Sequence, residues 1–311
     1  MCYSAQIWSA WRKFERMWHS GMSIKEFTHL YITGMSDKRI RIPKAMDLGF
    51  QDPQTDAERE IKALIDQRNA RQASEWEQEL FKQRKRLADA ERSLQTKVTK
   101  AATESQRIAT DKVEWLLGKL ADLRRTEPKD RDSRIFPGWY APVMVMEDGK
   151  RVIKPMRYQC RPAGKPAFYD TKYPGTYNAR RDNLEGFWKG QFGHCHGVMI
   201  ASAFYENVTR QGSDGKATNV VLEFKPDSGQ DMLVACLWSR WSAPGEEDLL
   251  SFAAITDEPP AEVAAAGHDR CIVPIKAEHL DAWLDPKGDL KAMYAILDDR
   301  ERPYYEHRMA A

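Results

Sequence analysis

The sequence predicts an α+β protein: a mainly antiparallel, curled sheet with flanking helices, interrupted by an inserted α-helical hairpin. Three textures along the 311-residue chain lead to that expectation. The first 50 residues are aromatic and helical in pattern. Glu, Lys, Arg, Gln and Ala dominate from Thr55 to Arg125, and from about Ile135 short β-prone runs alternate with glycine and proline turns.

The opening texture ends in the basic stretch K-R-I-R-I-P-K, and a proline-bearing turn, Q-D-P-Q-T-D, leads out of it. In the second texture Gly118 is the sole glycine and proline is absent. Leu80, Leu87, Leu94, Ala101 and Ile108 stand seven apart, which reads as a coiled-coil seam. Thr55-Asp56-Ala57-Glu58 supplies an N-cap signal, and Pro128 marks the stop. One uninterrupted helix would reach about 105 Å at about 1.5 Å per residue, far beyond a compact domain. An antiparallel hairpin is therefore expected, turning within T-K-V-T-K-A-A-T-E-S at 96–105. The chain then reads as a single domain over 1–311 with residues 54–130 inserted, the insertion serving a protein partner, self-association or the positioning of DNA. The run K-Q-R-K-R at 82–86 has two readings, a nucleic-acid contact or the solvated face of a charged helix, and the acidic residues on both sides of it favour the second.

The third texture supplies the strands. V-M-V-M before E-D-G-K, N-V-V-L-E-F, M-L-V-A-C-L-W and S-F-A-A-I-T are each short and bounded by turn residues. Few helical stretches separate them, which favours an antiparallel barrel or sandwich over a parallel sheet. E-H-L-D-A-W-L near the end reads as one short helix.

Composition narrows the function classes. A net charge of +2 does not argue for nucleic acid globally, so any basic surface has to be local. No apolar run approaches the roughly 20 residues of a membrane span. Trp11, Arg12, Lys13 and Glu15 interrupt the start where a signal peptide would be apolar, and five scattered cysteines suggest reduced thiols. A cytoplasmic protein is expected. No glycine pattern forms a phosphate loop, so no nucleotide cofactor is expected. The G-H-C-H run at 193–196 lacks a second ligand pair at zinc spacing, so no metal is expected.

Chemistry concentrates at four places. Cys2 follows the initiator methionine, and methionine removal would leave an α-amine and a thiol on adjacent carbons. Their reference pKa values, about 7.7–8.0 and about 8.5, leave both partly nucleophilic near neutrality. Y-N-A-R-R-D places Asn178, Arg180 and Asp182 just after Pro174-Gly175. Glu206 follows an apolar, strand-like run in I-A-S-A-F-Y-E-N, and His268 and Arg270 sit between a glycine and another apolar run. Each has an ordinary reading: a frayed terminus, a turn Asn, a strand-end Glu, a surface His.

Together these residues resemble the SRAP family, the SOS response-associated peptidases or abasic-site-processing proteins. The family begins Met-Cys and carries Asn-Ala-Arg, Phe-Tyr-Glu and His-Asp-Arg motifs in that order. Here they read M-C at 1–2, N-A-R at 178–180, F-Y-E at 204–206 and H-D-R at 268–270. P-G at 137–138, C-L-W-S-R-W at 236–241 and F-A-A-I-T at 252–256 fall between. The resemblance covers residues 1 to about 30 and 135 to about 290 and skips the helical segment.

The resemblance implies a barrel-like SRAP fold and a specific chemistry. The mature Cys2 would capture the aldehyde of an abasic site in single-stranded DNA as a thiazolidine, a covalent link that shields the lesion during the DNA damage response. Asn178, Glu206 and His268 would serve catalysis beside it, with Arg180, Arg270, Arg157 and Tyr158 holding the DNA and no cofactor needed. Such a protein would be cytoplasmic and nucleoid-associated when bound to DNA. The sequence departs from the family at Tyr3 and Ser4, where Gly-Arg is frequent. It departs again at R-Y-Q-C (157–160), where the family has Arg-Trp-Gly-Leu, and at Asn207, where Trp is usual. These changes are read as affecting DNA grip, with Tyr158 still able to stack on a base. Two other functions stay open: an N-terminal-nucleophile cysteine peptidase or amidohydrolase, and a noncatalytic single-stranded DNA binder.

Overall fold

The computed structural model describes residues 4–7, 11–211 and 217–310. Contacts divide the chain into two compact units, Met1–Asp52 with Lys129–Ala311, and Pro53–Pro128. The first unit opens with β1 (Ser4–Ile7), α1 (Trp11–Trp18), β2 (Gly21–Met22), α2 (Ile24–Ser36) and α3 (Lys44–Leu48). The second unit is α4 (Asp56–Thr96) and α5 (Lys100–Arg124). The first unit resumes with β3 (Arg134–Ile135), β4 (Tyr140–Glu147), β5 (Lys150–Tyr158), α6 (Tyr169–Lys172), β6 (Asn178–Arg180) and β7 (His196–Gln211). It closes with β8 (Ala217–Pro226), β9 (Met232–Trp241), β10 (Leu249–Asp257), α7 (Ala261–Ala265), β11 (Cys271–Ile272), α8 (Leu280–Leu284), α9 (Leu290–Asp298) and β12 (Tyr305–Met309). Among the described residues no helix is long and apolar enough to cross a membrane.

The predicted strand runs become β4, β8, β9 and β10, all paired in one mainly antiparallel sheet. E-D-G-K forms the β4–β5 turn, where Asp148 (φ 50°) and Gly149 (φ 71°) both take the left-handed conformation that matches strand twist in a two-residue hairpin. The 16-residue β7 organises the sheet. Its first half pairs with β9 and, at Met144↔Val198, with β4, and its second half pairs with β1 and β8. Since β9 also pairs with β10, and β10 with β5, the strands close a ring β10–β5–β4–β7–β9. Two seams of that ring are thin. β4 meets β7 at one registered pair, and β5 meets β10 in parallel at two, Ser251↔Arg157 and Phe252↔Tyr158. The result is a curled ring rather than a uniform barrel. Fully buried Val143, Phe204, Phe224, Val234 and Phe252 belong to its core.

The helical unit folds as a hairpin, with α4 and α5 packed on each other. Thr55 caps α4 by accepting from the Glu58 amide at 3.2 Å, and Glu58 accepts from the Gln54 amide at 2.8 Å. The turn is only Lys97–Thr99, and Thr99 caps α5 by accepting from the Ala102 amide at 3.1 Å. The seam differs from the single heptad series read in the sequence. On α4 the buried positions include Leu80, Gln83 and Ala90; on α5 they are Ala102, Ala109, Leu116 and Leu120, while Ala101 is exposed. The turn breaks helical phase, so the series restarts one residue later on α5, with Ala102, Ala109 and Leu116 seven apart.

The segment after β5 also departs from expectation. Tyr158 is 0% exposed, its ring stacked on Phe252 at 5.2 Å and edge-on to Tyr177 at 5.6 Å. It is a core residue, closed to base stacking. Arg157 donates to Asp170 at 2.8 Å and to the Gln159 carbonyl at 3.1 Å, so its charge is used inside the fold. Arg161 donates to the same carboxylate at 3.1 Å from Nε. The lock holds Gln159 at φ 136°, a conformation that side chains rarely adopt, at the position where the family pattern has glycine. Burial alone would raise the Asp170 carboxyl, but the hydrogen bonds from Arg161 and Arg157 outweigh it and hold the pKa low.

Asp170→Asn would leave two clustered guanidiniums without a counter-charge. The expected loss is about 2–3 kcal/mol near neutrality, the lower end for a buried pair because the site is partly wet. A carboxylate with a lowered folded pKa contributes stability above its unfolded pKa and loses it as pH falls through the folded one. Urea unfolding should therefore show the gap between wild type and variant closing below about pH 4. A gap that persists at acid pH would show that the effect is steric.

Candidate active site around Glu206 and His268

Glu206 lies inside β7, opposite Leu222 of β8, and is 0% exposed. The strand runs five residues beyond it, so it is an interior carboxylate and not a strand-end one. An ionised carboxylate in such a place requires a cation. His268 supplies it from the turn after α7. There Pro260 precedes the helix, Val263 anchors it in the core, and the amides of Gly267 and His268 donate to the carbonyls of Ala264 (2.9 Å) and Val263 (3.2 Å). Gly267 has φ 99°, and a Cβ there would stand 2.8 Å from Val208 Cγ1 on β7. Glycine thus lets the turn close onto the strand that carries Glu206. His268 Nε2 arrives 3.1 Å from Glu206 Oε2. Sequence reading assigned Gly267 no role, and the signal available was its place directly before H-D-R.

Hydrogen bonding and charge act together on the His268 ring. His268 Nδ1 lies 2.9 Å from the Arg270 carbonyl, which can only accept, while the Arg270 amide is farther away at 3.3 Å. Nε2 faces the Glu206 carboxyl, which only accepts when it is ionised. With protons on both ring nitrogens the pair is imidazolium–carboxylate, the form that a raised His268 pKa favours. Burial pulls the His268 pKa down, but the hydrogen bond and charge of Glu206 and the Arg270 carbonyl outweigh it, so the net direction is up.

Asn178 starts β6, which runs parallel to β10 with Asn178 opposite Ala254 and Arg180 opposite Thr256. On the other side of β10, Thr256 faces Ile272 of β11. The N-A-R and H-D-R segments therefore flank one strand, and their charges interact: Asp269 acts on Arg180, and Arg270 acts on Asp182. Arg180 also donates to Asp182 at 3.1 Å, so this exposed guanidinium already has a carboxylate partner. The Asn178 side chain is buried, and neither its oxygen nor its nitrogen has a hydrogen-bond partner among the described residues. Leaving an amide unsatisfied costs about 1–3 kcal/mol per group, a cost usually met at places where a ligand completes the bonding. No described contact joins Asn178 to the Glu206–His268 pair. Cys2 lies outside the described residues. The first described residue, Ser4, is paired with Tyr205, the neighbour of Glu206.

Other nucleophiles and ligand candidates are occupied structurally. Cys160, Cys236 and Cys271 are buried and free, and burial pushes their pKa values up, to about 12 for Cys160. Thiols so protonated are poor nucleophiles. In the G-H-C-H run, His196 accepts from the Gly193 amide at 2.8 Å and lies against Phe192 and Trp283, and burial pushes its pKa down to about 3. Glu278, His279 and Asp299 bring ligand atoms within 4.8 Å of one another, but Asp299 is already bonded to Lys276 at 2.6 Å and His279 at 2.8 Å.

The His268 assignment can be read by NMR titration. The wild-type ring should titrate above the ordinary value of about 6.5, and in Glu206→Gln below it, since burial persists once the opposing charge is gone. The pair's contribution to stability is full below about pH 6.5 and is lost as pH rises through the raised His268 pKa. Identical midpoints in the two proteins would mean that the charged pair does not form.

With this geometry in hand, comparisons identify the chain. The profile described as SOS response associated peptidase (SRAP) matches residues 99–310, starting at the N-cap of α5 and leaving out the first 98 residues, Cys2 among them. A protein of known crystal structure from Bordetella bronchiseptica is similar at 18% identity, over 58% of this chain and 87% of its own, with a TM-score of 0.47. One from Bacteroides thetaiotaomicron is similar at 12% identity, over 58% and 78%, with a TM-score of 0.48. A phage-related protein from Bordetella bronchiseptica is similar at 19% identity, over 60% and 85%, with a TM-score of 0.45. No curated protein matches the chain. Because the profile covers most of the chain, including the N-A-R, F-Y-E and H-D-R motifs, the protein belongs to the SRAP family of SOS response associated peptidases.

Proposed function

We propose that this SRAP protein processes abasic sites in single-stranded DNA through Cys2, exposed as the N-terminus by removal of Met1. The observation that carries this reading is the pairing of Ser4 with Tyr205, beside the Glu206–His268 ion pair. Two residues of chain span at most about 7 Å, and a mature terminus that reaches this pair is part of the proposal.

The chemistry follows from the two nucleophiles. The α-amine adds to C1′ of the ring-opened sugar, and loss of water gives an imine. The Cys2 thiolate then adds to the same carbon, the nitrogen takes a proton, and a thiazolidine links protein to DNA. Opening the sugar requires a base for the C1′ hydroxyl proton and an acid for the ring oxygen. An imidazolium–carboxylate pair holds one of each. The unpartnered amide of Asn178 supplies a donor and an acceptor for the amine or the sugar. Arg180 and Arg270, near each other through their carboxylate neighbours, suit phosphates. Arg157 and Tyr158 support the fold instead. The bound lesion would be shielded until the link reverses.

Intact-mass measurement should show loss of Met1, and denaturing electrophoresis with an abasic single strand should show a covalent band that Cys2→Ala abolishes. Glu206→Gln and His268→Ala should slow capture by about 10²–10⁴-fold without abolishing noncovalent binding. Full crosslinking by protein that retains Met1 would overturn the mechanism. Amide turnover without a DNA adduct would favour the peptidase reading, and salt-sensitive binding without any adduct the noncatalytic one.

We read the hairpin as an insertion into this domain with no part in bond making. Replacing residues 56–127 with a Gly/Ser linker should preserve crosslinking to a short abasic oligonucleotide. A folded deletion variant that cannot crosslink would place the hairpin in the site.

A further inference from the structure

The hairpin segregates charge along its length. Residues 82–107, surrounding the turn, carry eight Lys/Arg and three Asp/Glu, whereas the rest of 53–128 carries eight and eleven. Within the distal part, the acids are largely spent: Asp89 pairs with Arg92 at 3.2 Å and Glu104 with Arg107 at 2.6 Å. Lys82, Arg84, Lys85, Lys97 and Lys100 are exposed, and among the described residues none has an ion-pair partner. The turn at Lys97–Thr99 brings Lys97 and Lys100 to the same end as the 82–86 run, which linear sequence averages with the acids at 75–79.

A shallow groove of about 550 Å³ between the helices lies at this end, lined by Lys82, Lys85 and Arg86 together with Ala90, Ala102 and Ser105. Arg86 bridges the helices by donating to Ser105 Oγ at 2.9 Å. Small side chains leave the groove open, cations and the Arg92-paired Asp89 edge it, and no aromatic ring lines it. Such a surface suits a chain of phosphates and offers nothing for stacking or base readout.

We propose that the distal end of the hairpin is a contact for the phosphate backbone of nucleic acid, separate from the Glu206–His268 site and independent of sequence. Unpaired like charges held together on one end of a helical pair repel one another, and a polyanion relieves that repulsion while releasing counterions.

The test measures affinity of the full-length protein for an undamaged single strand, and for a duplex of the same sequence, across a salt series. Replacing Lys82, Arg84, Lys85, Lys97 and Lys100 with Gln preserves helix propensity, which circular dichroism would verify. On a single strand, each lost phosphate contact should reduce the slope of log K against log salt by about 0.7, and on a duplex by about 0.9. A control removes five cations from the other end, Arg59, Lys62, Arg68, Arg71 and Lys119, for the same change in net charge. A fall in slope on either probe in the distal variant, with the control like wild type, supports the contact and says which form it holds. An unchanged slope on both probes, or an equal fall in both variants, overturns it.

Discussion

A fully buried carboxylate in the longest strand is the constraint around which the first unit is arranged. Glu206 has no solvent, and its charge is tolerable only with a cation brought to it. That requirement positions the whole segment from Pro260 to Ile272. The short α7, the left-handed Gly267 against Val208, and the β11 pairing to β10 together deliver one imidazole to one oxygen. Removing one member of such a pair typically costs about 3–5 kcal/mol, because the other is left charged and dry. The same strand pairs with β1, β4, β8 and β9, so the residue that demands a counter-charge also sits in the frame of the sheet.

The arginines show how one residue type divides between the interior of the fold and its surface. Arg157 and Arg161 converge on Asp170, are largely enclosed, and hold the strained turn at Gln159. Arg180 and Arg270 stand on segments flanking β10, with charges that balance against Asp182 and Asp269. A guanidinium tied at short range to an enclosed carboxylate has no capacity left for phosphate. One paired at the surface can exchange its carboxylate for a phosphate at little cost.

The helical unit follows a different logic. Leu80, Leu116 and Leu120 form its main apolar cluster with Trp76 and Val113 packed against them, while alanines at 90, 102 and 109 line the seam nearer the turn. Large side chains thus fill the seam away from the turn, and small ones leave a shallow groove nearer to it. Exposed cations accumulate beside that groove. The packing and the charge gradient run along the same axis.

The sequence by itself determined the elements whose signals are local. E-D-G-K specified a hairpin turn because Asp and Gly tolerate left-handed backbone, Thr55 specified a helix start through its hydroxyl, and alternating apolar runs specified β8, β9 and β10. The order of the N-A-R, F-Y-E and H-D-R motifs was enough to suggest the family and to nominate Asn178, Glu206 and His268. Tertiary structure alone decided what each residue touches. It moved Tyr158 from a base-stacking role to the core, spent Arg157 on Asp170, and shifted the α5 seam from Ala101 to Ala102. It also brought an interior Glu and a half-buried His together at 3.1 Å. The physical reason is range. Caps, turns and periodicity act over a few residues of chain, whereas burial and charge pairing depend on groups 62 positions apart, as Glu206 and His268 are, and only the closed fold sets those distances.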